Sequence, residues 1–373
     1  MRIGVNTRLF LKGKLEGIGW FMHETLKRMV VNHPEHEFYF FFDRPYDESF
    51  IFAPNVTPVV LSPQARHPVL FYIWFEWSIT RALKKYKIDV FLSPDNYASL
   101  STKVPTCLVV HDLAFEHYPK FVNKTHLMHY KRYVPRFVRK ASRVVAVSEF
   151  TKQDIISRYG VEPDKIDIVY KGAHELYQPL SYEAKQAIKE QYTDGKQFFL
   201  FTGSLHPRKN VINLLKAFVK FKRRQKSPMK LVIVGRMAWL AKEIEEAKAK
   251  MPFKEEVIWL GYVDIEELAK ITASAYAMVY PSLFEGFGIP ILEALKSGVP
   301  AIASDTSSMP EVLGNAGILV NPKEVESIAT AMEKMYKDEV LRSKFIQEAA
   351  LQSQKFSWDR SAELLYDSIM KCV

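Results

Sequence analysis

The sequence predicts two doubly wound α/β domains. Three observations carry that reading. Short apolar runs alternate with helical-period segments in both halves of the chain, as in parallel sheets covered by helices. Several of these runs are continuously hydrophobic, as strands buried on both faces are. The length, 373 residues, favours about two domains over one core.

In the first half the strand candidates, in order, are "RIGVNT", "EFYFFF", "DVFLSP", "TCLVVHD", "SRVVAVS" and "DIVYKG". The alternation then pauses at "YKGAHELYQPLSYEAKQ", a polar connection containing proline, and a new strand begins at Gln197. The second half offers "QFFLFTGS", "KLVIVG", "VIWLGYV", "AYAMVYPS", "VPAIAS" and "GILVN". The boundary is therefore placed near residue 178, giving domains 1–178 and 179–356. A closing helix over 357–373 takes Ser357 as N-cap. Two such domains are expected to face each other across a cleft, with ligands beyond the carboxyl ends of the strands.

Hydrophobic residues make up 48% of the chain and charged residues 25%, an ordinary globular composition that excludes disorder. Cys107 and Cys372 form neither a disulfide framework nor a ligand cluster, which fits a reducing cytoplasm. No stretch approaches the roughly 20 apolar residues of a membrane span. The net charge of +10 is concentrated, with eight cations and no acid between Lys120 and Arg143, interleaved with aromatics. Such a segment attracts a polyanion (nucleic acid, anionic lipid or a phosphorylated substrate) unless it is simply a solvated helix face. Upstream, "HPVLFYIWFEWSITRALKKYK" sets Trp74 and Trp77 ahead of a cationic end. It either rests on an anionic membrane surface or packs Phe71, Ile73, Trp74 and Trp77 into a core.

The stretch "PSLFEGFGIPILEALKSGVP" reads as a strand end, a turn and a short helix stopped by Gly298. Pro290 suits a first helical turn. The amides around Gly286, Phe287 and Gly288 make an anion-binding helix start, approachable because side chains are missing. Glu285 stands at its mouth. Glu293, about two turns on, is expected on nearly the same face, one carboxylate for a sugar hydroxyl and the other for a ribose diol. In "FTGSLHPRKNVINLLKAF", Arg208 and Lys209 stand between a strand and a helix, where they can neutralise a diphosphate. In "KLEGIGWFMHETLKRM", Gly17 and Gly19 read as a flexible loop before a helix, short of a full GxGxxG because Met22 takes the last glycine position. In "CLVVHDLAFEHYP", His111 and Asp112 end a buried strand, where a histidine is either structural or a ligand contact.

With these motifs in hand, "GYVDIEELAKITASAYAMVYPSLFEGFGIPILEALKSGVPAIASDTSSMPEVLGNAGILVNP" resembles the signature region of retaining glycosyltransferases of family 4, which have the GT-B architecture. "TGSLHPRKN", "VHDLAFEHYP" and "VSEFTKQDI" extend the resemblance over nearly the whole chain. It implies that Glu285 holds donor-sugar hydroxyls and supports positive charge at the anomeric carbon, and that Glu293 binds the ribose. Arg208 and Lys209 grip the leaving diphosphate, assisted by amides from Gly286 through Ile289. Val263 lies by the base, Gly19 approaches the diphosphate and His111 touches the donor sugar; Gly203 and Ser204 line the nucleotide-sugar site. Two departures stand out. Ser204 replaces an Arg that many relatives carry, which shifts phosphate charge onto Arg208, and Met237 replaces a second glycine.

The resemblance further implies transfer with retention, without metal or cofactor; the chain lacks a DxD pair. Preorganised cations can stabilise the leaving nucleotide. Similarity to bacterial mannosyltransferases favours GDP-mannose, with UDP-glucose or a UDP-N-acetylhexosamine next. The expected acceptor is a saccharide, lipid-linked, in cell-surface polysaccharide synthesis, with the enzyme cytoplasmic or peripheral on the inner face of the membrane. A GT-B sugar-nucleotide epimerase and a non-catalytic polyanion binder are the rival readings. Nucleic acid is not expected as a partner, because such binding would leave the two glutamates unexplained.

Overall fold

The computed structural model describes residues 1–236 and 241–373; Met237 lies outside the described residues. The chain divides into two compact units, Met1–Lys171 with Ser357–Val373, and Gly172–Phe356. The division falls between Lys171 and Gly172, ahead of the expected 178, so most of the polar connection belongs to the second unit.

The first unit holds strands β1 (Arg2–Asn6), β2 (Glu37–Phe42), β3 (Val56–Val60), β4 (Val90–Ser93), β5 (Thr106–Val110), β6 (Arg143–Ala146) and β7 (Ile166–Ile168). They form one sheet in the order β3-β2-β1-β4-β5-β6-β7, all pairs parallel. The winding reverses between β1 and β4, where Ile3 pairs with Val90 and Val5 with Leu92. β3 is the strand missed above. Its sequence "VTPVV" carries Pro58, which lacks a donor and is tolerated because β3 lies at the sheet edge. The strands at the centre are mostly apolar and buried: every residue of β4 and β5 is buried.

Helices cover both faces. The helix Gly17–Asn32 begins at Gly17, so Gly17 and Gly19 occupy its first turn and not a flexible loop. Closing the chain, the helix Trp358–Met370 is capped by Ser357, whose hydroxyl accepts from the Asp359 and Arg360 amides. It docks on the first unit. Ser368 and Lys371 donate to Asp167 at 2.9 and 2.7 Å, and Ser361 donates to the Tyr170 carbonyl at 2.6 Å.

The aromatic segment splits between core and surface. Phe71 and Trp74 are buried, with the Trp74 indole donating to the Leu61 carbonyl at 3.1 Å, whereas Tyr72 and Trp77 are exposed. Wider π-helical turns over Trp74–Ile79 bring buried Glu76 onto the amides of Leu100 and Ser101 at 2.7 and 2.8 Å. The helix Lys124–Lys140 buries His129, Val134, Phe137 and Val138. Its other side exposes Lys124, Lys131, Arg132 and Arg136.

The second unit holds β8 (Phe198–Thr202), β9 (Lys230–Val234), β10 (Val257–Gly261), β11 (Ala277–Tyr280), β12 (Ala301–Ser304) and β13 (Gly317–Val320). This parallel sheet runs β10-β9-β8-β11-β12-β13 and reverses its winding between β8 and β11. Among the described residues no helix is long and apolar enough to cross a membrane.

Candidate active site

Winding reversal leaves a crevice at the carboxyl ends of the two strands concerned, since their connections depart to opposite sides. In the second unit the loops leaving β8 and β11 fill that place with charge. After β8 the chain passes Gly203 at φ 129°, a conformation that favours glycine. Gly235, ending β9, packs so tightly that a Cβ there would lie 1.9 Å from the Gly203 carbonyl oxygen. Ser204 is exposed. A single 3-10 turn, Pro207–Lys209, then presents the two cations. Asn210 follows at φ 61°, which Asn tolerates, and donates to the carbonyls of Pro281 and Pro322 at 2.9 and 2.7 Å. Leu283 N donates to the Arg208 carbonyl at 2.8 Å, so the loops after β8 and β11 are stitched together through their backbones.

Glu285 lies in the loop after β11 and not on the helix, which spans Ile289–Lys296 behind Gly288 at φ 106°. The expected shared helical face with Glu293 is therefore absent, because the helix begins beyond Glu285. Glu285 is instead buried in an ion-paired cluster: Arg208 Nη1 lies 3.1 Å from its Oε2, and Lys209 Nζ lies 2.8 Å from its Oε1. Ser282 Oγ and Tyr280 Oη donate to Oε1 at 2.6 and 3.2 Å. The Glu285 amide donates to Ser307 Oγ at 3.0 Å, and Ser308 Oγ donates to the Glu285 carbonyl at 2.9 Å. Burial by itself would raise this carboxyl, but Arg208, Lys209 and the hydroxyl donors outweigh it and bring it down to about 2.

Glu293 behaves in the opposite sense. It sits within the helix Ile289–Lys296, and burial pushes it up to about 7, against the pull of the Tyr177 hydroxyl and the more distant Lys209 charge. At neutral pH it is therefore poised between a carboxylate, which accepts from a diol, and a neutral acid. Phe287 is buried against Phe356, ring edge to face at 5.5 Å. Val263 follows β10 through Gly261 and the exposed Tyr262, whose ring lies 4.2 Å from the Arg236 guanidinium.

The structure thus brings together Glu285, Arg208 and Lys209 by direct contact, with Gly203 beside Lys209: a Cβ on Gly203 would lie 3.8 Å from Lys209 Cε. Ser204, Gly286, Phe287 and Gly288 occupy the two loops that carry them, Ile289 opens the helix that follows, and Glu293 lies within it. Sequence reasoning missed Tyr280, Ser282, Ser307, Asn210 and Tyr177. The first two lie in the quoted strand end "VYPS", and Asn210 closes "HPRKN"; Tyr177, in the interdomain connection, gave no signal.

His111 and Gly19 belong to the first unit. His111 ends β5 and is buried, with Nε2 2.8 Å from the Pro94 carbonyl oxygen. That carbonyl only accepts, so Nε2 carries the proton and Nδ1 is left as an acceptor with no partner among the described residues. Desolvation, then the charge of Lys171, hold the ring well below the usual histidine range and hence neutral. Gly19 is buried, and a Cβ there would meet Leu15 Cδ2 at 3.0 Å and the Leu9 carbonyl oxygen at 3.4 Å. Glycine is thus closely packed at that position.

Known proteins resemble the chain along its length. The profile described as Glycosyltransferase Family 4 matches residues 16–174, and that described as Glycosyl transferases group 1 matches residues 183–352. O-antigen chain mannosyltransferase B of Escherichia coli is 26% identical over 362 residues, covering 94% of both chains. O-antigen chain mannosyltransferase RfbU of Salmonella typhimurium is 28% identical over 284 residues, 76% of this chain and 75% of its own. Among solved structures, WaaG, a glycosyltransferase involved in lipopolysaccharide biosynthesis, superposes with a TM-score of 0.78 at 14% identity, over 98% of this chain and 99% of its own. Anabaena HepE, solved with UDP-glucose, gives 0.77 at 16% identity, over 99% of both chains. With matching profiles on both halves and two parallel Rossmann-like sheets, the chain belongs to the family 4, group 1 glycosyltransferases of GT-B fold.

Proposed function

We propose that this glycosyltransferase moves mannose from GDP-mannose, with retention and without a metal ion, to a lipid-linked saccharide acceptor of cell-surface polysaccharide synthesis. The observation that carries the reading is the Glu285, Arg208 and Lys209 cluster at the winding reversal of the second sheet. Two preorganised cations in a buried setting suit a leaving diphosphate, whose negative charge grows as the glycosidic bond breaks. Glu285 orients both cations and, once they engage phosphate, is released to accept from sugar hydroxyls. Glu293 is assigned to the ribose diol, Val263 to the base, and the loop amides from Gly286 through Ile289 to sugar and phosphate oxygens. From the first unit, His111 Nδ1 is proposed as an acceptor for a sugar hydroxyl, and Gly19 as a point of close backbone approach. The mannosyl choice rests on the names of the curated relatives.

The exposed cations of the helix Lys124–Lys140, with exposed Tyr72 6.1 Å from the Tyr133 ring of that helix and exposed Trp77 on the same segment as Tyr72, suit the anionic inner face of a membrane. Calorimetry with GDP, UDP and ADP tests the donor, using Lys209→Ala and Glu293→Ala as controls. Selective binding of GDP, weakened in both variants, is expected; preference for UDP overturns the mannose reading and leaves the site. Proton spectra of the product from GDP-mannose then report the anomeric configuration.

A further inference from the structure

We propose that the first unit carries its own oxyanion subsite, anchored by Arg8 at the winding reversal between β1 and β4, and that it receives a phosphate or carboxylate group of the acceptor. This rests on the glycosyltransferase reading for the word acceptor, and on the first unit alone for the site.

Arg8 follows β1, and its side chain is 10% exposed. Its Nε donates to Asp95 Oδ2 at 2.5 Å, just beyond the end of β4. Asp95 Oδ1 in turn accepts from Asn6 Nδ2 at 2.8 Å, and Asn6 also donates to Ser93 Oγ at 3.2 Å. The guanidinium lies 5.0 Å from the centroids of both Phe71 and Tyr97, whose rings adjoin each other with centroids 5.0 Å apart. It is thus held by a carboxylate at one end and packed against a pair of adjoining aromatics.

Its two terminal nitrogens make no hydrogen bond to the described residues, yet they are not among the polar atoms sealed from solvent. The terminal donors therefore reach solvent while Nε and the rings hold the guanidinium in place. This leaves the terminal N–H pairs open to a planar two-oxygen ligand, which they can engage side by side. Beside it, two further groups make no hydrogen bond to the described residues: the Tyr97 hydroxyl and His129 Nε2, both buried, in rings 5.8 Å apart. Burial, then neighbouring His126, hold His129 down at about 4, so it serves as a neutral hydrogen-bonding group and not as a second cation. The place matters as much as the groups. Arg8 and Asp95 flank the one point in this sheet where adjacent connections diverge, the position that open α/β sheets use for ligands.

The test uses the full chain carrying Lys209→Ala, so that phosphate binding at the second unit is weakened. Calorimetric titration compares methyl α-mannoside, α-mannose 1-phosphate and glucuronic acid. We expect the phosphate to bind, the neutral glycoside not, and Arg8→Gln to lose about 10- to 100-fold of that affinity, partly restored in Arg8→Lys. Tighter binding of glucuronic acid than of the phosphate, with the same Arg8 dependence, assigns the oxyanion to a carboxylate. Equal affinity for charged and neutral saccharides, or no loss in folded Arg8→Gln, overturns the subsite and leaves Arg8 as a brace for Asp95. If Arg8→Gln does not fold, Tyr97→Phe decides: unchanged phosphate affinity overturns the proposal, and a loss of several-fold supports it. GDP titrated into chains with native Lys209 reports the donor reading separately, so failure of one is not failure of the other.

Discussion

The two sheets reverse their winding at corresponding places and furnish them alike, yet the electrostatics differ. In the first unit an Arg after β1 pairs with an Asp after β4; in the second an Arg and a Lys after β8 pair with a Glu after β11. The first crevice holds one cation against one anion, with two adjoining rings beside the guanidinium. The second gathers two cations on one carboxylate and surrounds it with hydroxyls. In the roles proposed above, two neighbouring cations suit a leaving diphosphate, and one cation with spare terminal donors suits an oxyanion that is held in place. On that proposal the same topology serves two tasks through the cations at its switch point.

Removing the carboxylate of the second cluster should break this contrast most severely. Glu285→Ala removes the carboxylate that both Arg208 and Lys209 contact, and is expected to lower kcat by about 10³-fold or more. Such a loss also threatens folding, so Glu285→Gln serves as the volume-matched variant. Steady-state rates on GDP-mannose together with thermal melts separate the two effects. A melt close to that of the unsubstituted chain with an unchanged rate removes Glu285 from the chemistry.

Next in size are the cations. Arg208→Ala and Lys209→Ala are each expected to cost on the order of 10²-fold in kcat, the scale of one preorganised charge stabiliser. Arg208 should matter more for position, since it also donates to the Phe284 carbonyl of the loop after β11. Lys209 should matter more for charge, because it reaches both Glu285 and the Tyr280 hydroxyl. Arg208→Lys therefore restores less activity than Lys209→Arg, and the two rates measured side by side check this.

Glu285 and Glu293 sharpen the comparison within one site, because their carboxyls move in opposite directions, to about 2 and about 7. Glu285 is lowered, so the stability it contributes is present above the unfolded carboxyl range and lost as pH falls toward 2. Glu293 is raised: the folded chain keeps its proton between about pH 4.5 and 7 while the unfolded chain gives it up. Its contribution is therefore present at low pH and lost as pH rises through 7. Glu293→Gln should raise the melting temperature at pH 8 more than at pH 5. For binding the sign inverts, since the ionised form accepts from a diol. GDP affinity is expected to rise by several-fold from pH 6 to pH 8, and to lose that slope in Glu293→Gln.

Much of this was legible in the sequence, and the failures have physical causes. Continuous apolar runs marked the central strands because burial on both faces leaves no polar position to confuse the period. β3 escaped because an edge strand tolerates Pro58 and needs only one buried face. The residues Arg208, Lys209 and Glu285 were singled out from adjacency to strand ends, but their mutual contact was not, since β8 and β11 are far apart in sequence and neighbours only in the sheet. Counting two helical turns from Glu285 to Glu293 failed for a related reason: a loop residue has no helical phase. Arg8 went unremarked because one cation after a first strand is ordinary until Asp95, Phe71 and Tyr97 close around it.

The smallest effect tests what surrounds the first crevice. The helix Lys124–Lys140 turns His129 inward toward Tyr97 and leaves Lys124, Lys131, Arg132 and Arg136 outward. Arg132 and Arg136 both lie over the Tyr133 ring, at 5.7 and 5.9 Å, so their charge is held at the surface and not folded back onto an acid. Exposed charges of this kind bind an anionic bilayer at about 1 kcal/mol each and are screened by salt. Arg132→Glu with Arg136→Glu should therefore reduce sedimentation with vesicles containing phosphatidylserine at low ionic strength, while GDP affinity stays the same. Equal recovery of the unsubstituted chain in the supernatant, with and without anionic lipid, would instead make the basic face an ordinary solvated one. The first crevice would then take its acceptor from solution.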